Sequence, residues 1–340
     1  MRSAFTFPLV AVAAIGVTSV VVACSDSEAR ACRVGADCAS GVCSADGRCV
    51  PVQDGGVFDA GAPPADDDDD DDDEVIKRPS DDGGGLTTRG CVANRDGVIA
   101  ANEVPTRAGL HGIFRFATKA LVSTEGTDIG GGKRRWDLSG KLNGDANVLI
   151  ETLPLDDKWY GPKFPNGSYA TPIGKSPDLL AVFAKSDDGS LTILGAVSSY
   201  DGAYRTELIN DKAVEVLKFP LEKGKKWESS VINVTGVAPY PTAPTSPSGP
   251  YAYTDVYENE VDGEGELVAP LGTFDVLRVR ILITRTFPAV PPAVPTETVV
   301  KTRQFAFVTE CYGNVAAVTS ELNEPNVEFT NAAEVRRIAP

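Results

Sequence analysis

Apolar and polar residues alternate along much of the second half of the chain, and this alternation is the strongest constraint on its fold. Leu277, Val279 and Ile281 share one face of the run 276–283. A period of two is typical of a half-buried β-strand, whereas an α-helix repeats about every 3.6 residues. Residues 91–340 are therefore predicted to form a mainly β, antiparallel domain, either a sandwich or an open curved barrel.

Further strands are expected where runs rich in β-branched and aromatic residues lie between turn residues. These runs are 112–122, 147–153, 179–185, 190–198, 205–210, 213–219, 226–236, 251–261, 264–269 and 299–310. The proline-rich segment 287–295 is expected to be a hairpin tip or edge loop, because proline cannot donate to a ladder. One helix is expected near residues 100–110.

The N-terminus has the form of an export signal, in which Arg2 precedes an apolar run that ends in small residues. Val21-Val22-Ala23-Cys24 resembles the lipobox of bacterial lipoprotein precursors. The resemblance implies cleavage before Cys24, a diacylglycerol on its thiol and a further acyl chain, such as palmitate, on its new amine. Residues 1–23 are therefore predicted to be a lipoprotein signal peptide. The alternatives are an ordinary signal peptide with a chance cysteine, or an uncleaved membrane span.

Two or more buried acyl chains anchor a protein stably to a bilayer. The lipobox resemblance thus implies that the membrane is a partner through the lipid on Cys24. It places the protein in the bacterial cell envelope, on the outer membrane, at either the periplasmic face or the cell surface.

Six cysteines remain besides Cys24, an even number that suits disulfides in an exported chain. Four of them lie in the segment 32–49, which is too short to bury a core. They are Cys32, Cys38, Cys43 and Cys49. The spacing is similar to short Cys-rich modules of bacterial surface lipoproteins and some extracellular animal proteins. Two disulfides with undetermined pairing are expected, since the alternative, a zinc site, usually has a Cys-x-x-Cys clasp.

The last two cysteines, Cys91 and Cys311, stand near opposite ends of the β-rich domain. We expect them to form a disulfide that ties the start of the domain to a late strand. Such a bond closes a loop of over two hundred residues, which corresponds to about 5 kcal/mol in the chain-entropy account of disulfides.

Most of the negative charge lies ahead of this domain. Residues 24–90 carry 17 acidic and 6 basic residues, in a chain whose formal net charge is −16. Residues 66–73 are all Asp and Glu74 follows, so this run repels itself and cannot pack. Segment 24–31 is therefore interpreted as the anchor segment, and 50–90 as a disordered acidic linker. The same charge argues against nucleic acid as a partner.

The run 94–99, Asn-Arg-Asp-Gly-Val-Ile, followed by Glu103, resembles an EF-hand calcium loop. With the glycine in sixth place, Asn94 and Asp96 fall third and fifth, and Glu103 takes the bidentate twelfth place. Val92 occupies the first place and cannot bind a metal. The resemblance implies calcium at Asn94, Asp96 and Glu103. The alternative is a loop of the same shape held by hydrogen bonds to its own backbone. No other cofactor is predicted.

Two further groups of side chains are candidates for a site. Glu258, Glu260, Asp262 and Glu264 alternate along a predicted strand and so lie on one of its faces. They could act as a catalytic acid and base, bind a cation, or form a solvent-facing stripe. The aromatic residues in a Gly/Pro-rich stretch are either a sugar-stacking surface or a plug for the sheet's open end. These are Trp159, Tyr160, Phe164 and Tyr169.

Two stretches, 219–227 and 265–279, resemble uncharacterised bacterial envelope proteins whose curved antiparallel sheet is similar to that of periplasmic lipoprotein carriers. The shared motifs are an apolar-Pro-Leu run before Gly and Trp, and then Pro-x-Gly-Thr-Phe. The resemblance implies a curved sheet and, weakly, an apolar concave face.

Three functions follow from these observations. The favoured one is a non-enzymatic surface lipoprotein that presents a β-rich domain on an acidic tether for binding or a structural role. The second is a carrier of a lipid or other apolar ligand, which an enclosed apolar cavity would favour. The third is an extracellular hydrolase using carboxylates such as Glu258 and Glu260 in a cleft. No catalytic signature is found, and the single histidine, His111, excludes sites that need two imidazoles.

Overall fold

The computed structural model describes residue 91 and the ranges 93–239, 247–289 and 296–340. Several predicted features precede this part of the chain and lie outside the described residues. They are the signal peptide (1–23), Cys24 and its anchor segment (24–31), the Cys-rich module (32–49) and the acidic linker (50–90).

β-Strands account for most of the described chain. The first eight are β1 (Val98–Ile99), β2 (His111–Leu121), β3 (Thr127–Gly130), β4 (Lys133–Asp137), β5 (Ala146–Glu151), β6 (Tyr169–Pro172), β7 (Leu179–Lys185) and β8 (Leu191–Ser198). The next eight are β9 (Glu207–Leu217), β10 (Leu221–Glu222), β11 (Lys226–Ala238), β12 (Gly249–Ala269), β13 (Gly272–Phe287), β14 (Thr298–Thr309), β15 (Gly313–Ser320) and β16 (Asn331–Ile338). A short 3-10 helix spans Gly161–Lys163.

Fourteen strands of the described chain belong to one sheet. Twelve of them follow one another, each antiparallel to the next, in the order β5-β2-β16-β15-β14-β13-β12-β11-β9-β8-β7-β6. Strand β4 pairs parallel with β12 and antiparallel with β3, so these two strands branch from the main path. Strands β1 and β10 form a separate two-stranded sheet.

The two ends of the twelve-strand path nearly meet. Leu153, just after β5, donates to the carbonyl of Ala170 in β6 at 2.7 Å, and the Ala170 amide donates back at 2.9 Å. The chain is thus a strongly curved, nearly closed antiparallel sheet. This confirms the predicted mainly β class, in its curved form.

The alternation in β13 faces the core as predicted. Leu277, Val279 and Ile281 are buried in one cluster with Tyr169 of β6 and Val308 of β14. Strands β6 and β14 are far apart in the strand order, so their side chains can share a cluster only across the concave face. The middle of that face is therefore occupied by packed side chains.

The convex face carries a second core. Phe305 and Phe307 alternate with the concave residues of β14 and pack with Trp136 of β4, whose ring lies 5.3 Å from that of Phe307. Strand β4 approaches β12 so closely that a Cβ on Gly265 would lie 1.8 Å from the carbonyl oxygen of Arg134. Gly265 has φ 155°, which also favours glycine. This position therefore permits the parallel crossing that covers the second core.

A buried arginine, Arg278, fixes that covering segment to the sheet, because it donates to the carbonyl of Thr124 and lies 5.2 Å from the ring centre of Trp136. Arg278 of β13 donates to both carboxylate oxygens of Asp262 at 2.8 and 2.9 Å and to Glu328 at 2.7 Å. Its guanidinium lies 4.2 Å from the ring centre of Phe305. Burial raises the pKa of Asp262 above its usual value, and the bonds from Arg278 oppose that rise. The pairing lets two charges lie within an otherwise apolar layer.

Two sequence expectations are corrected. The segment 100–110 is not a helix, because it consists of turns and irregular residues after β1. Pro105 has no N–H to continue a helix. The backbone hydrogen bond from Glu103 to Ala100 closes a single turn, and Gly109 and Leu110 bond to the backbone of Thr152 instead. The predicted breaks near 211–212 and 262–263 are not turns. There β9 and β12 run on as single strands, with a register shift at Val261/Gly263 in β12.

The disulfide between Cys91 and Cys311 is present, as predicted, with the two Cα atoms 5.5 Å apart. It joins the residue at the start of the described domain to the turn that follows β14. The bond constrains a loop with a sequence separation of 220. It therefore removes many conformations from the unfolded chain.

Replacing both cysteines, Cys91→Ala with Cys311→Ala, should lower the free energy of unfolding by about 4–5 kcal/mol. The reason is the restored freedom of the unfolded chain. Urea unfolding of the two proteins at equal pH measures the difference. A loss below about 1 kcal/mol would show that the bridge contributes little.

An aromatic cluster lies toward one end of β12 and β13. The ring centres of Tyr253 and Phe287 are 5.8 Å apart, and the Arg285 guanidinium sits 3.8 Å over the Tyr253 ring. Arg285 also makes two 2.8 Å bonds to Asp255, which is 1% exposed. Burial raises the pKa of Tyr253 to about 12 and raises that of Tyr257 as well. The cluster therefore holds its phenols in the neutral form.

The protein should lose stability as the pH rises above about 10. An unfolded tyrosine ionises near 10, whereas Tyr253 holds its proton until about 12. Below pH 10 both states are protonated, and above it the unfolded state loses its proton first. Between pH 9 and 11.5, Tyr253 should account for a loss of about 2 kcal/mol. Urea midpoints of wild type and Tyr253→Phe measure it, and parallel pH profiles would contradict it.

Candidate functional site

The three residues proposed for calcium do come together. Asn94 and Asp96 precede β1, and Glu103 follows it in the next turn. The Nδ2 of Asn94 donates to Glu103 Oε1 at 2.9 Å and to Asp96 Oδ2 at 3.3 Å. The amide nitrogen of Asn94 therefore lies between the two carboxylates.

The remaining oxygens of this loop accept from its own backbone. The amide of Asp96 donates to Asn94 Oδ1 at 3.0 Å, that of Val98 to Asp96 Oδ1 at 2.8 Å, and that of Ala100 to Glu103 Oε2 at 2.7 Å. This is the arrangement expected of a self-bonded loop. Across the described residues, no group of three or more His, Cys, Asp or Glu is placed to hold a metal. Val92 lies outside them, and calcium here stays a prediction.

The disulfide brings a carboxylate that the sequence did not single out to the same loop. Glu310 precedes Cys311 and is 9% exposed. Both of its oxygens accept from the backbone N–H of Arg95, at 3.1 and 3.2 Å. The amide of Cys311 donates to the carbonyl of Glu103 at 2.7 Å. The loop and the end of β14 are thus joined by a covalent bond and by backbone hydrogen bonds.

A cleft of about 600 Å³ lies beside this junction and is open to solvent. We call it the disulfide cleft. One wall is the loop from Cys91 to Ile99, the other is the β3–β4 hairpin, and the floor is formed by β12, β13 and the end of β14. It is lined by Cys91, Ala93, Arg95, Gly97, Ile99, Ile129, Lys133, Glu264, Gly265, Glu266, Thr273, Phe274, Asp275, Val276, Leu277, Thr309, Glu310, Cys311 and Tyr312.

Each of the two cations that line the cleft pairs with a floor carboxylate. Lys133 lies 2.8 Å from Glu264, and Arg95 lies 3.5 Å from Asp275. The hydrogen bond and the charge of Glu264 raise the pKa of Lys133 above its usual value. These side chains are well exposed, so the pairs contribute little stability. Their effect is to place alternating charges along the cleft.

The cleft also has an aromatic part. The rings of Phe274 and Tyr312 meet edge to face with their centres 5.6 Å apart. Ile129, which is 43% exposed, faces the cleft from the β3–β4 hairpin. The disulfide cleft thus combines apolar contact surface with fixed charges, which is typical of a ligand site.

The carboxylate stripe proposed for a hydrolase is largely neutralised. Glu260 pairs with Arg280 and lies 3.4 Å from Lys226. Asp262 is bonded to Arg278, and Glu264 to Lys133. Glu258 is exposed and stands directly opposite Glu228 on β11. Glu258 and Glu260 line a shallow groove of about 520 Å³ together with Glu228. Three of the four carboxylates are thus paired with cations, and the fourth, Glu258, faces solvent.

The aromatic residues proposed for sugar stacking are mainly core. Tyr160, Phe164 and Tyr169 are 1, 3 and 6% exposed, and Tyr169 stacks on Phe183 with a ring separation of 5.2 Å. Trp159 is partly buried and donates to the carbonyl of Ser198 at 3.1 Å. This placement agrees with the plug interpretation.

Sequence reasoning missed the disulfide cleft because its groups come from four distant segments. Arg95, Lys133, Asp275 and Glu310 share no spacing pattern, and each reads as an ordinary charged residue. The one available signal was the expected Cys91–Cys311 bond, which places residue 310 beside the loop after residue 91.

Comparison of the chain with protein-family models, with curated proteins and with solved structures finds no match. Among the described residues, no helix has the length and apolar character needed to cross a membrane.

Removing the Glu103 carboxylate, in Glu103→Ala, should lower the free energy of unfolding by about 1–2 kcal/mol in calcium-free buffer. The Ala100 N–H and the Asn94 amide then lose their acceptors. Glu297→Ala, at an exposed position, is the matched control. Urea unfolding with EGTA and with calcium measures the effect. A loss seen only with calcium would instead identify the loop as a calcium site.

Proposed function

We propose that this chain is a non-enzymatic, lipid-anchored protein of the bacterial envelope whose β-rich domain is a binding module. The observation that carries the binding role is the disulfide cleft of about 600 Å³. Its volume lies in the range of small-ligand and side-chain sites. Its floor is the regular β12–β13 pairing, so its groups are held on rigid elements.

The anchor is supported by the residues before the domain. Val21-Val22-Ala23-Cys24 follows an apolar run and offers a thiol where the lipobox resemblance requires one. The acidic run at 66–73 suits a solvated spacer between an anchor and a folded domain. Binding at a membrane surface by a tethered module is the role these features support together.

A carrier role has less support. A carrier needs an apolar space within the curved sheet, and the concave face is occupied by the cluster that joins Tyr169 and Leu191 to Val279 and Ala306. Close packing of this kind leaves no room for an acyl chain at that level of the sheet. This observation favours the binding module.

A hydrolase role also has less support. An acid–base pair needs two carboxylates whose environments separate their pKa values. Glu260 is already paired with Arg280 and Lys226, and Glu258 stands in solvent. The stripe therefore favours a structural explanation.

Changing the anchor residue, Cys24→Ala, should move the protein from the membrane fraction to the soluble fraction, because no thiol remains to carry the glyceride. Ser25→Ala, at the next position, is the matched control and should stay with membranes. Fractionation with an alkaline wash and intact-mass analysis measure both. If the Cys24→Ala protein still pellets after the wash, lipid anchoring is wrong.

A further inference from the structure

The disulfide cleft carries more negative than positive groups. Two cations, Arg95 and Lys133, line it together with four carboxylates, those of Glu264, Glu266, Asp275 and Glu310. Arg95 forms an ion pair with Asp275, and Lys133 forms one with Glu264. Glu266 lies 3.8 Å from Arg135, outside the lining. Two ion pairs within the cleft therefore already place a cation next to a carboxylate of its floor.

Glu310 differs from the other three carboxylates. It is 9% exposed, and no side-chain nitrogen of a Lys, Arg or His among the described residues lies within 4 Å of its oxygens. Both oxygens accept from the backbone N–H of Arg95. A carboxylate that is this buried and lacks a counter-ion raises the free energy of the folded state. A ligand cation beside it would remove that cost.

Apolar groups line the same cleft as this charge. Tyr312 is two residues from Glu310 along the chain and lines the cleft with Phe274 and Ile129. Aromatic faces attract cations, and apolar walls contact the methylene stem of a long charged side chain. The combination suits a Lys or Arg side chain better than a bare ion, which would leave the apolar part uncovered.

We propose that the disulfide cleft binds the cationic side chain of a Lys or Arg residue presented by a peptide segment of a partner. The charged end is held by Glu310 with help from Asp275, and the stem lies against Phe274 and Tyr312. This inference rests on the proposed binding role and names its ligand class.

The test is titration of the purified full-length mature protein, in a non-ionic detergent at low salt, with an acetylated and amidated peptide Gly-Gly-Lys-Gly-Gly. Glu310→Gln keeps an acceptor oxygen for the Arg95 N–H and removes the charge. It should weaken binding about tenfold or more, because the buried charge is the main partner. Glu321→Gln, an exposed position outside the cleft lining, is the matched control and should bind within about twofold of wild type.

Two more variants keep the test decisive if Glu310→Gln folds poorly. Asp275→Asn, at an exposed position of the cleft floor, should weaken peptide binding severalfold. Arg95→Ala removes the cation that competes for Asp275 and should strengthen it severalfold. The acidic run at 66–73 is present in every variant, so any binding it contributes is common to all and cancels in the comparison.

The proposal is overturned if the wild-type protein does not bind the peptide, if the Glu310→Gln and wild-type proteins bind it equally, or if a Gly-Gly-Gln-Gly-Gly peptide binds as well. Free n-butylamine, which has the same charged stem, separates the sources of the cation. If it binds as tightly as the peptide, the ligand is a free amine and the peptide assignment is wrong. Because the titration does not depend on the anchor, its failure leaves the Cys24→Ala result unaffected.

Discussion

The pairing of β2 with β16 is the constraint on which the rest of this structure depends. It joins the first long strand to the last, with Phe114 opposite Ile338 and Leu121 opposite Asn331. The C-terminal strand is thereby placed inside the sheet, between β2 and β15, rather than at an edge. The strands from β15 to β6 follow on the other side of β16, and the path nearly closes where Leu153, after β5, pairs with Ala170 in β6.

The convex face and the disulfide cleft differ in how their buried charged side chains are paired. On the convex face, Arg278 and Arg337 are buried, and each donates to carboxylates and carbonyls, among them Asp262 and Asp145. These bonds fasten the 124–145 segment over an aromatic layer. At the disulfide cleft, Glu310 is buried, its oxygens accept from the backbone N–H of Arg95, and no Lys, Arg or His side chain of the described residues pairs with it.

The sequence was informative wherever a local pattern decides the structure. The alternation of Leu277, Val279 and Ile281 identified β13 and its buried face, and cysteine parity identified the Cys91–Cys311 bond. It failed for β15, since small residues such as Ala316 and Ala317 are buried on both faces and show no alternation. Polar residues inside β9, such as Asp211, read as a turn although the strand continues.

The candidate site was harder to anticipate, for a related reason. The calcium-loop resemblance correctly brought Asn94, Asp96 and Glu103 together, because their spacing is local. The disulfide cleft depends on which distant strands become neighbours. The parallel crossing of β4 over β12 at Gly265 and the position of the turn after β14 depend on contacts between segments that are distant in sequence. No short stretch of sequence encodes them.

The internal position of β16 also dictates the order of events during synthesis. Until the last residues emerge, β2 and β15 each have an open edge that can pair with another chain. The sheet therefore cannot be completed until almost the entire domain has been synthesised. During that interval the open edges of the sheet are exposed to aggregation.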